Sequence, residues 1–129
     1  MERSPTGAEY RAIRAAVGWS DVAPEVADPA LRQSLYGVVL LDDDEVVGCG
    51  RIVGDGGLSF YIEDLAVVPR LQGRGFGTKI MEHLMAWLDE NVPPGRAVYL
   101  MAADGSVGFY ERHGFLRRLD AAPGMQRRW

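Results

Sequence analysis

The stretch Asp64-Leu65-Ala66-Val67-Val68-Pro69-Arg70-Leu71-Gln72-Gly73-Arg74-Gly75-Phe76-Gly77-Thr78 decides how the rest of the chain is read. An apolar strand runs into three alternating glycines, and a long amphipathic helix leaves from them. Ile80, Met81, Leu84, Met85 and Leu88 form the buried stripe of that helix. Glycines at a strand-to-helix turn let the backbone approach a ligand closely and aim several N–H groups at one point. The positive end of the helix then favours an anion there. The stretch therefore reads as a pyrophosphate cradle. A dinucleotide fold places such glycines after its first strand, with an acidic residue about 20 positions later, whereas here they fall late in a short chain. A nucleotide P-loop ends in Gly-Lys-Ser/Thr, and Gly77-Thr78-Lys79 has another order.

Towards the N-terminus, Leu58 to Val68 is a long strand preceded by the turn Gly54-Asp55-Gly56-Gly57. Gly37 to Leu41 and Glu45 to Val53 form a hairpin about Asp42-Asp43-Asp44, a triple aspartate without calcium-loop spacing. Thr6 and Glu9 have capping-box spacing, so a first helix is predicted over residues 7–17 with Tyr10, Ile13 and Val17 on one face. Asp28-Pro29 predicts the start of a short second helix ending near Leu35. Towards the C-terminus, Pro93-Pro94-Gly95 ends the long helix and Ala97 to Ala102 is a strand. Ser106 to His113 is a short helix stopped by Gly114, Phe115-Leu116-Arg117 opens another strand, and Met125 to Trp129 adds a last one. This order predicts an α/β fold. Its sheet is mixed, mostly antiparallel and six-stranded, with a central parallel β-α-β crossover and helices on both faces.

At 129 residues the chain is expected to be one domain, residues 1–129. Hydrophobic residues make up 47% and charged residues 25%, as in soluble globular proteins. No apolar run approaches the roughly 20 residues of a membrane span, and Met1-Glu2-Arg3-Ser4-Pro5-Thr6 lacks a signal-peptide core. The single cysteine, Cys49, cannot form an internal disulfide; a cytoplasmic protein with no membrane partner is expected. With 14 basic and 18 acidic residues the net charge is −4, which argues against a nucleic-acid partner and suits a cationic substrate. His83 and His113 lie far apart without metal-site spacing, so no metal is expected.

Gln72-Gly73-Arg74-Gly75-Phe76-Gly77 resembles the Gln/Arg-x-x-Gly-x-Gly/Ala signature of the GNAT superfamily of acetyl-CoA-dependent N-acetyltransferases, placed as usual after Leu65-Ala66-Val67-x-Pro. Gly108-Phe109-Tyr110-Glu111-Arg112-His113-Gly114-Phe115 is similar to the second motif of that superfamily, a short helix carrying a tyrosine and then Gly-Phe. The resemblance implies acetyl-CoA as acetyl donor, held by Gln72, Gly73, Arg74, Gly75, Phe76, Gly77 and Thr78 at its pyrophosphate. It also implies that the main chain about Leu65, Ala66 and Val67 pairs with the pantetheine arm like an added strand. A strand before the first helix is implied too; only Met1 to Pro5 precede the helix, so that strand is expected to be short or missing. A homodimer is left open.

An amine must lose a proton to attack a thioester, and the departing thiolate needs one back. Tyr110 is the expected proton donor: a phenol is protonated at neutral pH, and the position matches the tyrosine of the superfamily. Glu63 is the expected general base, directly or through water. Strand alternation puts it on the face of Tyr61 and Leu65, and sends Asp64 to the other face unless a bulge re-aims it. Cys49 has only Arg51 near it to activate a thiolate, so direct attack in a ternary complex is expected over a covalent intermediate. Trp19, Tyr36, Arg51 and Tyr61 are substrate-side candidates for a small-molecule or peptide amine. Glu63-Asp64-Leu65-Ala66-Val67 also resembles the strand of glucosamine-6-phosphate N-acetyltransferases, but Met101 stands where those have a catalytic aspartate. Asp104 stands where the superfamily often has an asparagine. The alternatives are that amino-sugar phosphate activity and a non-catalytic acyl-CoA-binding or sensing module.

Overall fold

The computed structural model describes residues 1–129. Helix α1 (Gly7–Ala16) opens on the predicted capping box. Thr6 Oγ1 accepts from the Glu9 N–H at 3.3 Å, and the Glu9 carboxylate accepts from the Thr6 N–H at 2.7 Å. Helix α2 (Pro24–Arg32) starts earlier than the Asp28-Pro29 signal implied, because Pro24 supplies a pre-set φ in its first turn. Asp28 serves the neighbouring helix instead: its Oδ1 accepts the Gly7 N–H at 2.9 Å and so occupies an orphan donor of α1. Tyr10, Ala27 and Leu31 bury the contact between the two helices. Ahead of α1, Met1 exchanges both backbone hydrogen bonds with Val39, at 2.8 and 2.9 Å, without extending into a strand.

The strands are β1 (Tyr36–Asp42), β2 (Glu45–Gly54), β3 (Phe60–Val67) and β4 (Val98–Tyr99), lying side by side in that order. The first three pair antiparallel. Helix α3 (Phe76–Asn91) then returns the chain so that β4 pairs parallel to β3, at Phe60–Val98 and Tyr61–Tyr99. Helix α3 covers one face of the sheet through Ile80, Met81, Leu84 and Leu88, which pack on Val47, Ile52, Phe60 and Ile62. Helix α1 covers the other through Ile13, against Val39, Cys49 and Ala66. No helix is long and apolar enough to cross a membrane.

The sheet has four strands, not six, and the crossover therefore lies at its edge rather than its centre. Past Tyr99 the chain leaves the sheet through Ala102, Ala103 and Gly105, residues with little side chain to pack against a neighbour, and forms the short helix α4 (Val107–Glu111). Gly114 stops that helix in the left-handed region, at φ 87°. The expected strands at Phe115-Leu116-Arg117 and Met125 to Trp129 do not form. Leu116, Leu119 and Met125 are 86%, 73% and 91% exposed, so they bury too little apolar surface to offset the entropy of ordering.

Candidate active site

Strand β3 does not keep its alternation. Cys49 pairs with Ala66 and Arg51 with Glu63, so Asp64 and Leu65 both stand opposite Gly50. This is a β-bulge, and Asp64 carries it in the left-handed region at φ 57°, which a short polar side chain tolerates. Its consequence is a change of phase. Glu63 and the next residue, Asp64, both face α1, while Leu65 turns to the α3 face, near where a Cβ on Gly50 would lie. The expectation that Glu63 and Leu65 share a face is corrected by that inserted residue.

Beyond Tyr61, β3 and β4 part, leaving that edge of β3 without a strand partner. A cavity of about 180 Å³ opens in the gap. Trp19, Ile62, Glu63, Asp64, Leu65, Met101, Ala103 and Tyr110 line it, so the two residues expected to move protons meet in one enclosure. Burial, and then the neighbouring Asp64, push the Glu63 carboxyl above its ordinary pKa, with Arg51 opposing. Burial likewise raises the Tyr110 phenol, which stays protonated across the neutral range. Its ring stands edge-on to Phe109 at 5.1 Å and to Phe115 at 6.3 Å. Burial raises the Cys49 thiol to about 12, so it is no nucleophile at neutral pH; it points at the Asp64 carbonyl oxygen, 3.3 Å away.

The glycine turn lies beside this cavity. Gly75 is the N-cap of α3 at φ 83°, with no side-chain cap, and the first bond of the helix runs from the Lys79 N–H to the Gly75 carbonyl. The N–H groups of Phe76, Gly77 and Thr78 have no protein partner, which fits the anion cradle expected there. Phe109 of α4 lies 3.8 Å from where a Cβ on Gly77 would be, so the first turn of α3 and the helix carrying Tyr110 sit against each other. The Gln72 side-chain amide donates to the Val67 carbonyl at 2.8 Å, bracing the turn on the end of β3. Gly75→Ala puts a Cβ into open space but forces alanine into the left-handed region, costing about 1 kcal/mol and lowering Tm by roughly 3–5 °C. Gly77→Ala lies in helical backbone with ordinary contacts, so Tm should hold or rise in thermal denaturation.

The substrate-side candidates separate. Trp19 lines the cavity, with Arg14 stacked over its ring at 5.5 Å. Tyr61 shares the face of Glu63. Arg51 is engaged: its Nε donates to Asp64 Oδ2 at 2.6 Å. Tyr36 lies away from the cavity, stacked on Trp87 of α3 at 5.7 Å. Tyr10 and Arg14 were not singled out by sequence, although their i, i+4 spacing on α1 puts them together. The Tyr10 hydroxyl donates to Asp64 Oδ1 at 3.0 Å and accepts from Arg14 at 2.9 Å. Met101, which sequence marked only as standing where a related strand has a catalytic aspartate, and Ala103, which it did not mark, also line the cavity.

The model of the acetyltransferase (GNAT) family matches residues 8–115, and the chain belongs to that family. It is 35% identical to serotonin N-acetyltransferase 2, chloroplastic, from Oryza sativa subsp. japonica, over 97% of this chain and 65% of the rice protein. The chain spans 61% to 65% of the length of the curated relatives it matches. Among solved structures, a Staphylococcus aureus protein described as a probable acetyltransferase aligns with a TM-score of 0.92 at 33% identity, covering 100% of this chain and 98% of that one. A GNAT family acetyltransferase from Streptococcus pneumoniae aligns with a TM-score of 0.80 at 30% identity, covering 100% and 94%.

Proposed function

We propose that this chain transfers the acetyl group of acetyl-CoA to the primary amine of a small molecule with an apolar or aromatic body. The observation that carries the reading is the meeting of Glu63 and Tyr110 in one cavity at the parted β3–β4 edge. The free amides of Phe76, Gly77 and Thr78 would hold the pyrophosphate of acetyl-CoA, and the unpartnered edge of β3 would take its pantetheine arm. Glu63 takes a proton from the acceptor ammonium. The freed nitrogen attacks the thioester carbonyl carbon, the C–N bond forms, and the C–S bond breaks as the tetrahedral intermediate collapses. Tyr110 gives its proton to the leaving thiolate, and its phenolate takes back the second proton of the attacking nitrogen as the amide forms. The products are the N-acetyl amine and the CoA thiol, with the first proton passing from Glu63 to solvent. A protonated Cys49 favours direct attack over a covalent relay.

The acceptor class rests on the walls. Trp19, Ile62, Met101 and Ala103 are apolar, and about 180 Å³ suits a compact ring-bearing amine better than a peptide. The named activity of the rice relative points the same way. We place the protein in the cytoplasm, with no nucleic-acid or membrane partner. The test is release of CoA thiol from acetyl-CoA with a panel holding tryptamine, phenethylamine, spermidine and a lysine peptide. Turnover is expected with the first two. Binding of acetyl-CoA by thermal shift with no turnover of any amine would support a sensing module instead. No thermal shift would remove the cradle reading.

A further inference from the structure

In the β2–β3 pair, Arg51 and Glu63 stand directly opposite on the same face. Opposite charges so placed normally pair. An arginine at that range lowers a carboxylate pKa by about 1–3 pH units, which would leave a poor base. The pair is not made. Arg51 Nε donates to Asp64 Oδ2 at 2.6 Å, and its Nη1 reaches Ser34 Oγ at 3.4 Å. Asp64 is itself held from α1: Oδ1 accepts the Tyr10 hydroxyl at 3.0 Å, with Arg14 at 3.8 Å. Glu63 takes part in no ion pair. Only the bulge makes this arrangement available. In a regular strand Asp64 would face α3 and its apolar stripe, with no cation to meet.

We propose that Asp64 is a positioning residue that draws Arg51 away from Glu63, leaving the Glu63 carboxylate free to accept the proton of the acceptor amine. The inference rests on the reading of Glu63 as base. The groups around Glu63 are Arg51 on β2, Tyr61 and Asp64 on β3, and Tyr110 on α4, with Tyr10 and Arg14 of α1 joined to it through Asp64. Removing the Asp64 charge leaves Arg51 one carboxylate to turn to, and that carboxylate is Glu63.

Asp64→Asn keeps a residue that tolerates the left-handed region but loses the charge that holds Arg51. Two readouts apply to the folded variant: the acid limb of kcat/KM, and the Glu63 titration followed by carbon-13 NMR of the side-chain carboxyl without substrate. Both should move down by about 1 pH unit or more. Adding Arg51→Gln to the same chain should return them to the starting position. An unmoved NMR titration in folded Asp64→Asn overturns the proposal. Loss of the Asp64 charge by itself also lowers the Glu63 titration, so a recovery of about 1 pH unit on adding Arg51→Gln is the result that assigns the shift to Arg51, and no recovery overturns the proposal. Glu63→Gln tests the underlying reading separately: if the acid limb survives that change, Glu63 is not the base, and the NMR titration still decides whether Asp64 holds Arg51 off it. If Asp64→Asn does not fold, Arg51→Gln alone carries the test. Asp64 then faces Glu63 less compensated and the Glu63 titration should move up; no movement, or movement down, overturns the proposal.

Discussion

Tyr110→Phe is expected to lower kcat about 100-fold while the KM for acetyl-CoA and the Tm stay near those of the parent protein. The change removes one oxygen. Phenylalanine keeps the edge-on packing against Phe109 and Phe115, and the Tyr110 hydroxyl makes no hydrogen bond within the protein, so no partner is stranded. What is lost is the proton for the leaving thiolate. General acid catalysis contributes typically 10²- to 10⁴-fold, and the lower end applies because a thiolate can depart unprotonated at some cost. Burial raises the phenol above its ordinary value of 10.0, so in the parent protein the loss of this proton shows only at strongly alkaline pH. Steady-state kinetics with acetyl-CoA and the best amine of the panel, beside isothermal titration with CoA, give the result. A kcat within twofold of the parent would remove Tyr110 from the reaction.

Much of this arrangement could be read from the chain because it is local. The Thr6–Glu9 capping box, the α3 stripe and the glycine turn are set by neighbours within a few residues, where propensity and spacing decide. The two C-terminal strands were misread for the opposite reason. A strand exists only if a partner edge buries it, and Leu116, Leu119 and Met125 find none. A bulge could be named as the way to re-aim Asp64 but not shown to form, since that depends on how Gly50 lies opposite two residues across β2 and on the pull of Tyr10, Arg14 and Arg51. Sequence could name Glu63 and Tyr110. It could not show that Asp64 of β3, held from α1, draws Arg51 off one of them.

Glu63→Gln is expected to cut kcat/KM about 100-fold near neutral pH and to abolish the acid limb of the pH profile, with no loss of stability. The amide keeps the shape of the side chain and cannot take a proton. In the parent protein the limb marks the Glu63 titration, displaced upward by burial and by Asp64, so the rate falls as pH drops through a value above the ordinary 4.5. The stability side has the opposite sign to most carboxylates. A pKa raised by folding means the fold prefers the protonated acid. That stabilisation is complete below the unfolded pKa and is lost as pH rises through the folded one. At neutral pH the ionised Glu63 therefore weighs against the fold, and the neutral amide should hold Tm or raise it. Loss of turnover with a steady or higher Tm marks a residue kept for chemistry against its own stability. A loss of only a few-fold with the limb retained would assign the proton to a water chain instead.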